Sequence, residues 1–355
     1  MIEYRKYIRE LSLIITVLIF TVLMFTFRED KEIRTLLIFV LYFAISLIYN
    51  LDSRYPIVAA IVLLISAAVV LPNDETFANK LAVYAYYFLV VGVALQLIEY
   101  VREQRKEEET VELTDLSIKG KFIAIASGKG GVGKTTIATN LALAFAKLGR
   151  RCLLVDFDLS MPSVDIAMGI NHEKSLKDAL FNNAKLEECI YKVDGCEVIP
   201  SSPIPTFFKD QENVKRLKNV IDKIKERYEI ILMDFPPGSN VELLDEFGRD
   251  VSLILVANPD KPSLVNLYSI KILAQERGCE VLGLVLNKAH GDEDIDNIEE
   301  TLELPVIAVL LEDDKVRESF SYGIPIVMED ENREFSREIL DLAKFLIKLF
   351  SSKEK

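Results

Sequence analysis

The stretch Ser127-Gly-Lys-Gly-Gly-Val-Gly-Lys-Thr-Thr136 decides how this chain folds. It satisfies the pattern G-x-x-x-x-G-K-T, in which backbone N–H groups and a lysine hold the phosphates of a nucleotide. The residues that fit the pattern are Gly128, Gly133, Lys134 and Thr135. An apolar run, 121–126, precedes the loop, and a helix-forming run, 136–148, follows it. This order predicts a strand, a P-loop and a helix, with the phosphates at the helix N-terminus, where free N–H groups and the helix dipole attract anions.

From residue 121 onward, apolar runs alternate with helical patterns. Most of the runs are continuously apolar, which is typical of parallel strands that helices cover on both faces. The predicted strands are 122–127, 152–157, 197–200, 230–234, 252–257, 281–287 and 305–309. The sequence therefore predicts the α/β class, with a doubly wound, mostly parallel sheet of the P-loop NTPase type that binds ligands at the carboxyl ends of its strands.

The N-terminal part of the chain has a different composition. Half of all 355 residues are hydrophobic, which points to membrane segments. Four stretches of about 17 to 19 residues contain no charged side chain, and each is long enough to cross a bilayer. They are 11–27, 35–51, 55–73 and 81–98. We therefore predict an all-α transmembrane domain of four helices in residues 1–100, a charged linker in 101–120, an ATPase domain in 121–350 and a short tail in 351–355.

A nucleotide site requires cytosolic ATP, so the chain after the fourth span is expected to be cytoplasmic. With four spans the N-terminus is then cytoplasmic too, and the protein is a multi-pass protein of the cell membrane. Basic residues near the spans agree modestly with this orientation. Those predicted inside are Arg5, Lys6, Arg9, Arg54, Arg102, Arg105 and Lys106, whereas those outside are Arg28, Lys31, Arg34 and Lys80.

The charge of the chain limits the classes of partner that it could bind, and its cysteine content indicates the cellular compartment. The net charge is −13, and residues 107–355 hold 31 basic and 45 acidic side chains. An acidic domain lacks the excess of Lys and Arg that neutralises nucleic-acid phosphates, so no nucleic-acid partner is expected. The four cysteines form no C-x-x-C pair, which predicts free thiols in a reducing compartment. They are Cys152, Cys189, Cys196 and Cys279.

The loop G-K-G-G-V-G-K-T-T contains an early lysine, Lys129, as well as Lys134. This form resembles the deviant Walker A motif of the MinD/ParA family of ATPases. In that family the early lysine reaches the phosphates of the partner subunit in a nucleotide-sandwich dimer. The resemblance implies a homodimer through the ATP site, with both lysines as catalytic residues. The ATP-binding residues that it implies are Gly128, Lys129, Gly130, Gly131, Val132, Gly133, Lys134, Thr135, Thr136, Gly238 and Asn287.

Carboxylates follow two of the predicted strands. The strand 230–234 ends in Asp234, an arrangement in which the carboxylate and the Thr135 hydroxyl hold Mg²⁺. The segment 155–169 resembles the first switch region of the same family. The resemblance implies that Asp158 positions the attacking water as a third catalytic residue and that Asp156 supports the magnesium shell.

Three further segments resemble this family. The sequence that begins at Asp234, D-F-P-P-G, is similar to its second switch, and the resemblance implies that Gly238 donates an N–H to the γ-phosphate. Asn287 lies in a strand end that resembles the one that holds the adenine, which implies a contact of Asn287 with the base. Guanine selection would favour an N-K-x-D sequence, and the Asp is missing here, so ATP is expected rather than GTP. The segment 305–328 resembles the closing segment that packs against the base.

Residues 335–350 place apolar side chains at helical spacing. This pattern predicts a last helix packed on the core. The alternative is an amphipathic membrane-binding helix of the type that ends MinD proteins.

The function that these features indicate is a membrane-anchored ATPase switch, which closes as a dimer on Mg-ATP and opens on hydrolysis. Such a switch would regulate or position a protein partner at the membrane, and the sequence does not identify that partner. The alternatives are a tyrosine-kinase-like regulator of polysaccharide export, an iron–sulfur carrier or tail-anchored-protein targeting factor, and a nucleotide-binding scaffold without hydrolysis.

Overall fold

The structure is a computed structural model. It describes residues 30–49, 51–114, 116–204, 210–239 and 241–353, together with the isolated positions Thr16, Thr21, Thr26 and Phe207. The chain divides into two compact units, with the division between Glu109 and Thr110.

Three long helices make up most of the described part of the first unit, and the last of them continues past Glu109. They are α1 (Lys31–Tyr49), α2 (Arg54–Val70) and α3 (Glu75–Thr114). Gly92 allows α3 to pack closely on α2, because a Cβ at this position would lie 2.6 Å from a side-chain atom of Ile57. Glu99 on α3 accepts hydrogen bonds from the backbone N–H and the hydroxyl of Ser53, at 3.0 and 2.7 Å, at the N-terminus of α2. A carboxylate there satisfies otherwise unpaired N–H groups.

Two described helical segments are long and apolar enough to cross a membrane. They are Lys31–Tyr49 and Glu75–Arg102, and Arg54–Val70 is a shorter apolar helix of 17 residues. All three expose many large apolar side chains, which water does not favour. The first predicted span, 11–27, lies outside the described residues apart from three threonines. Four spans therefore remain a prediction.

The second unit is built on an eight-stranded sheet with the order β3-β4-β2-β5-β1-β6-β7-β8. Among these described strands, only the pairing of β3 with β4 is antiparallel. The strands are β1 (Lys121–Ala126), β2 (Cys152–Asp156), β3 (Tyr191–Val193), β4 (Cys196–Ile199), β5 (Ile230–Asp234), β6 (Val251–Ala257), β7 (Glu280–Ala289) and β8 (Val306–Leu311). The predicted mostly parallel α/β sheet is confirmed.

Helices cover the sheet on both faces. They are α4 (Lys134–Lys147), α5 (Val164–Ala167), α6 (Leu176–Phe181), α7 (Gln211–Asp222), α8 (Val241–Phe247), α9 (Lys261–Glu276), α10 (Ile295–Leu302), α11 (Asp314–Tyr322), α12 (Ile326–Glu329) and α13 (Glu334–Lys353). One core cluster joins the sheet to α4 and α13, and a second joins it to α7, α8 and α9. Because both faces are buried, β2 and β5 are buried along their whole length. The four cysteines are free and buried.

One edge strand and the last helix add to the predicted fold. The edge strand β3 was not predicted, because it has only three residues and exposes Lys192 between two half-buried neighbours. The last helix, α13, buries most of its apolar side chains in the core, as the core-packing interpretation predicts. The buried side chains include Phe335, Ile339, Leu342, Leu346 and Phe350.

Candidate nucleotide-binding site

The P-loop connects β1 to α4 at the carboxyl edge of the sheet, in the middle of the strand order. A cavity of about 430 Å³ opens there. Its walls come from the P-loop, the segment after β2, the end of β7 and the segment after β8. The predicted site residues that line it are Gly130, Gly131, Gly133, Lys134, Thr135, Thr136, Asp158 and Asn287.

The glycines of the loop are required by its backbone and its neighbours. Gly131 and Gly133 have φ values of +77° and +98°, which side chains other than hydrogen rarely tolerate. A Cβ at Gly133 would lie 2.2 Å from the amide nitrogen of Asn287. At Gly128, a Cβ would lie 2.6 Å from the backbone of Asn266 on α9. The loop therefore packs closely against α9 on one side and the end of β7 on the other.

Lys134 begins α4 and is almost fully buried. Burial lowers the pKa of its ammonium group, while the nearby carboxylates Asp234 and Asp158 act in the opposite direction. The ammonium lies at a helix N-terminus together with backbone N–H groups. This arrangement favours a polyanion such as the phosphate chain of a nucleotide.

Two buried carboxylates end the neighbouring strands β2 and β5. Asp156 accepts hydrogen bonds of 3.0 Å from the backbone N–H groups of Asp158, Ser163 and Val164, so it shapes the segment that follows β2. Burial and the neighbouring Asp234 raise its pKa well above the usual range. Burial also raises the pKa of Asp234 to about 6, although hydrogen bonding from Thr135 and the charge of Lys134 oppose the change.

The residues present fit a magnesium ion. The Thr135 hydroxyl donates to Oδ2 of Asp234 at 2.6 Å and lies 3.2 Å from the Ser163 hydroxyl. The other carboxylate oxygen of Asp234, Oδ1, is buried and has no hydrogen-bond partner among the residues that the structure describes. An orphaned buried carboxylate oxygen beside a hydroxyl is a hard oxygen donor set of the kind that Mg²⁺ prefers. Burial of two carboxylates side by side is also compensated when a cation is present.

The two remaining predicted catalytic residues lie in different places. Asp158 lines the cavity, and its Oδ1 accepts the N–H of Met161 at 3.0 Å. Lys129 is not among the residues that line the cavity. Its side chain is 51% exposed, and its ammonium lies 4.0 Å from Oδ1 of Asp260. The early lysine of the loop therefore lies outside the cavity of its own chain.

Gly238 and Asn287 both bond to the P-loop. The N–H of Gly238 donates to the carbonyl of Ser127 at 2.9 Å. The amide of Asn287 donates to the carbonyl of Val132 at 2.7 Å. The phosphate contact of the first and the base contact of the second remain predictions.

Several lining residues were not identified from the sequence. They are Met161, Ser163, Pro237, Lys288, Leu311, Val316, Arg317 and Phe320 among others. Most of them lie in segments that resemble the MinD/ParA family, but no sequence motif identifies these individual positions. Lys288 follows Asn287 directly, and that adjacency was the available signal.

Comparisons with known proteins agree with this geometry. A family model described as an AAA domain matches residues 120–263. The chain is 33% identical over 230 residues to an uncharacterised ATP-binding protein of Methanocaldococcus jannaschii, covering 63% of this chain and 87% of the relative. It is 30% identical over 228 residues to the septum site-determining protein MinD of Bacillus subtilis, covering 60% of this chain and 84% of that protein.

The fold also matches a solved structure. The septum site-determining protein MinD of Pyrococcus horikoshii, complexed with Mg-ADP, superposes with a TM-score of 0.59 at 30% identity. The match covers 64% of this chain and 96% of that chain. Through its sheet, its P-loop and these relatives, the chain belongs to the MinD/ParA family of P-loop ATPases.

Proposed function

We propose that this protein is a membrane-anchored ATPase switch. ATP and Mg²⁺ bind at the P-loop, two copies close face to face on the nucleotides, and hydrolysis opens the dimer. The change alters a protein partner at the membrane. The Mg-ADP complex of the P. horikoshii relative supports the choice of nucleotide and metal.

The position of Lys129 carries the proposal of a dimer. The loop has two lysines, and only Lys134 lies in the cavity. Lys129 is half exposed, with the carboxylate of Asp260 as a distant partner at 4.0 Å, an arrangement that contributes little to stability. A lysine held outward beside a phosphate site is available to a second copy. Added positive charge at a transferring phosphoryl group is worth several orders of magnitude in rate.

We assign roles to the other residues from their positions in the cavity or beside it. Thr135 and Asp234 would hold Mg²⁺, which neutralises phosphate charge when it is bound. Lys134 binds the phosphates from the helix N-terminus. Asp158 would orient the attacking water, because phosphoryl transfer requires an in-line nucleophile and little covalent help from the protein. Asp156 keeps the segment that contains Asp158 in place through its three backbone hydrogen bonds.

The apolar surfaces of α1, α2 and α3 support a membrane anchor of four spans, with the ATPase domain and the N-terminus in the cytoplasm. Large side chains such as Tyr55, Val69 and Leu97 are mostly exposed on these helices. Lipid tails would cover such a surface. We place the membrane domain in residues 1–100 and the ATPase domain in 121–350, joined by residues 101–120.

The test is ATP-dependent dimerisation of the full-length protein in detergent micelles, measured by light scattering together with phosphate release. We expect ATP, and not ADP, to produce a dimer in the wild type. Asp158→Ala should trap that dimer by slowing hydrolysis. Lys129→Ala should still bind ATP, with turnover reduced by roughly a hundredfold or more.

The matched control is Lys215→Ala, because Lys215 is an exposed lysine on α7. It should behave as the wild type does. A protein that binds ATP, stays monomeric and hydrolyses it equally well without Lys129 would contradict the sandwich-dimer switch. A protein that binds ATP without turnover would be the nucleotide-binding scaffold instead.

A further inference from the structure

Two consecutive residues at the end of β7 hold two consecutive carbonyl groups of the P-loop. The Asn287 amide donates to the carbonyl of Val132 at 2.7 Å. The Lys288 ammonium donates to the carbonyl of Gly131 at 3.0 Å. Asn287 lies 155 residues from Val132 in the chain, and Lys288 lies 157 residues from Gly131, so these contacts exist only in the folded protein.

The backbone at Lys288 departs from strand geometry to allow both contacts. Consecutive side chains of a regular strand point to opposite faces, so one loop would receive only one of them. Lys288 has a φ of +55°, in the left-handed region that is unfavourable for a lysine. The pairing of β7 with β8 is irregular at the same place, between Asn287 and Ala289. Backbone strain of this kind persists where the surrounding structure imposes it, and it concentrates at functional sites.

The two contacts fix the direction of the loop's N–H groups. In a trans peptide the C=O and the following N–H point in opposite directions. With the carbonyls of Gly131 and Val132 held toward β7, the N–H groups of Val132 and Gly133 point away from it. Several N–H groups directed to one side form the kind of concave nest that binds phosphate. Lys288 and Asn287 thus hold the loop from the side that faces β7, opposite these N–H groups.

We propose that Lys288 is a positioning residue for the P-loop: its ammonium holds the Gly131 carbonyl, so that the loop's N–H groups are pre-oriented for the phosphates of a nucleotide. It acts through the loop and touches neither the base nor the γ-phosphate. The inference rests on the proposed nucleotide binding, and it assigns a role to a side chain that the sequence pattern left without one.

The experiment compares Lys288→Met with the wild type, using the full-length protein in micelles and fluorescent analogues of ADP, ATP and GTP as probes. The Met side chain keeps the apolar stem and removes the donor. We expect ADP and ATP affinity to fall by a similar factor of about ten, as for loss of a hydrogen bond from a charged group. The ratio of ATP to GTP affinity should not change, and KM should rise while kcat stays nearly constant.

Two further variants at Lys288 separate positioning from a purely structural role. Lys288→Arg retains a charged donor and should restore most of the affinity. Lys288→Gly relieves the strain of the left-handed backbone conformation and also removes the hydrogen-bond donor. Both Lys288→Gly and Lys288→Met lack the donor, so Lys288→Gly should melt higher than Lys288→Met by about a few degrees, while both variants bind ADP more weakly than the wild type. The matched control, Lys215→Met, changes an exposed lysine on α7 and should leave affinity unchanged.

Three outcomes would overturn the proposal. Equal affinity of the wild type and Lys288→Met would show that the ammonium is not needed. A loss confined to ATP would place Lys288 on the γ-phosphate, and a changed ATP-to-GTP ratio would place it on the base. If the wild type binds no nucleotide at all, the proposed function fails, and that result is distinct from a failure of this inference alone.

Discussion

The backbone N–H of Gly238 donates a hydrogen bond to the carbonyl oxygen of Ser127, over a distance of 2.9 Å. This bond ties the segment after β5 to the first residue of the P-loop. If the same N–H is to meet a γ-phosphate, as the family resemblance implies, the bond to Ser127 has to open. ATP and ADP would then differ in their effect on this segment.

Gly238→Ala tests this relationship. Gly238 has a φ of +101°, where an alanine is strained, although a Cβ added there would meet no atom of the described residues within 4 Å. We expect the substitution to move the segment and to weaken ATP binding more than ADP binding, by roughly fivefold for a cost of about 1 kcal/mol. The measurement is equilibrium binding of both nucleotides. An equal loss for ADP and ATP would argue against a γ-phosphate contact.

Asp234→Asn tests the buried carboxylate. The pKa of Asp234 is raised to about 6, so protonation stabilises the nucleotide-free fold. That stabilisation is fully present below about pH 4 and is lost as the pH rises through about 6. An asparagine cannot ionise, so at pH 7 the variant should have a higher melting temperature than the wild type. Its free energy of unfolding should be larger by on the order of 2 kcal/mol.

We expect Mg-ATP to raise the melting temperature of the wild type, and this variant should lose that increase because the amide is a poor magnesium ligand. Asp292→Asn, at an exposed position, is the control and should change neither property. If Asp234→Asn lowered the melting temperature at pH 7 and kept its response to Mg-ATP, the magnesium site would have to be assigned elsewhere.

The orientation of the membrane domain can be measured by cysteine labelling. The four native cysteines are buried and should react slowly. With four spans and a cytoplasmic N-terminus, the loop with Asp74 lies outside and the loop with Asp52 lies inside. In intact cells, a membrane-impermeant maleimide should label Asp74→Cys and not Asp52→Cys, and permeabilisation should expose both. The reverse pattern would invert the predicted topology.

Two adjacent residues of α13 separate core packing from membrane binding. Leu346 is fully buried, whereas Phe345 is 42% exposed. Leu346→Ala should destabilise the ATPase domain by about 2–5 kcal/mol, because it leaves a cavity between α13, α4 and the sheet. Phe345→Ala should cost much less. Thermal melting checks both variants, and similar effects of the two would contradict the packing of this helix.

The fold could be predicted from the sequence more fully than the candidate site. Seven strands were predicted close to their observed positions because most of them are continuous apolar runs, which are typical of buried parallel strands. The short strand β3 was missed because its three residues carry no comparable pattern. The P-loop was recognised because its glycines are needed locally, as the φ values of Gly131 and Gly133 show. The roles assigned to individual site residues remain predictions.

The sequence by itself determined the mostly parallel α/β fold, the phosphate loop and the apolar character of the N-terminal helices. These properties depend on local patterns, such as glycine positions, periodicity and the length of uncharged stretches. Only the tertiary structure decided that Thr135 bonds to Asp234, 99 residues away, and that Lys288 reaches Gly131 across 157 residues. It also decided that Lys129 lies outside the cavity that holds Lys134. The physical reason is that a local pattern fixes the backbone of each element, whereas the direction and the partners of a side chain depend on elements that packing brings together.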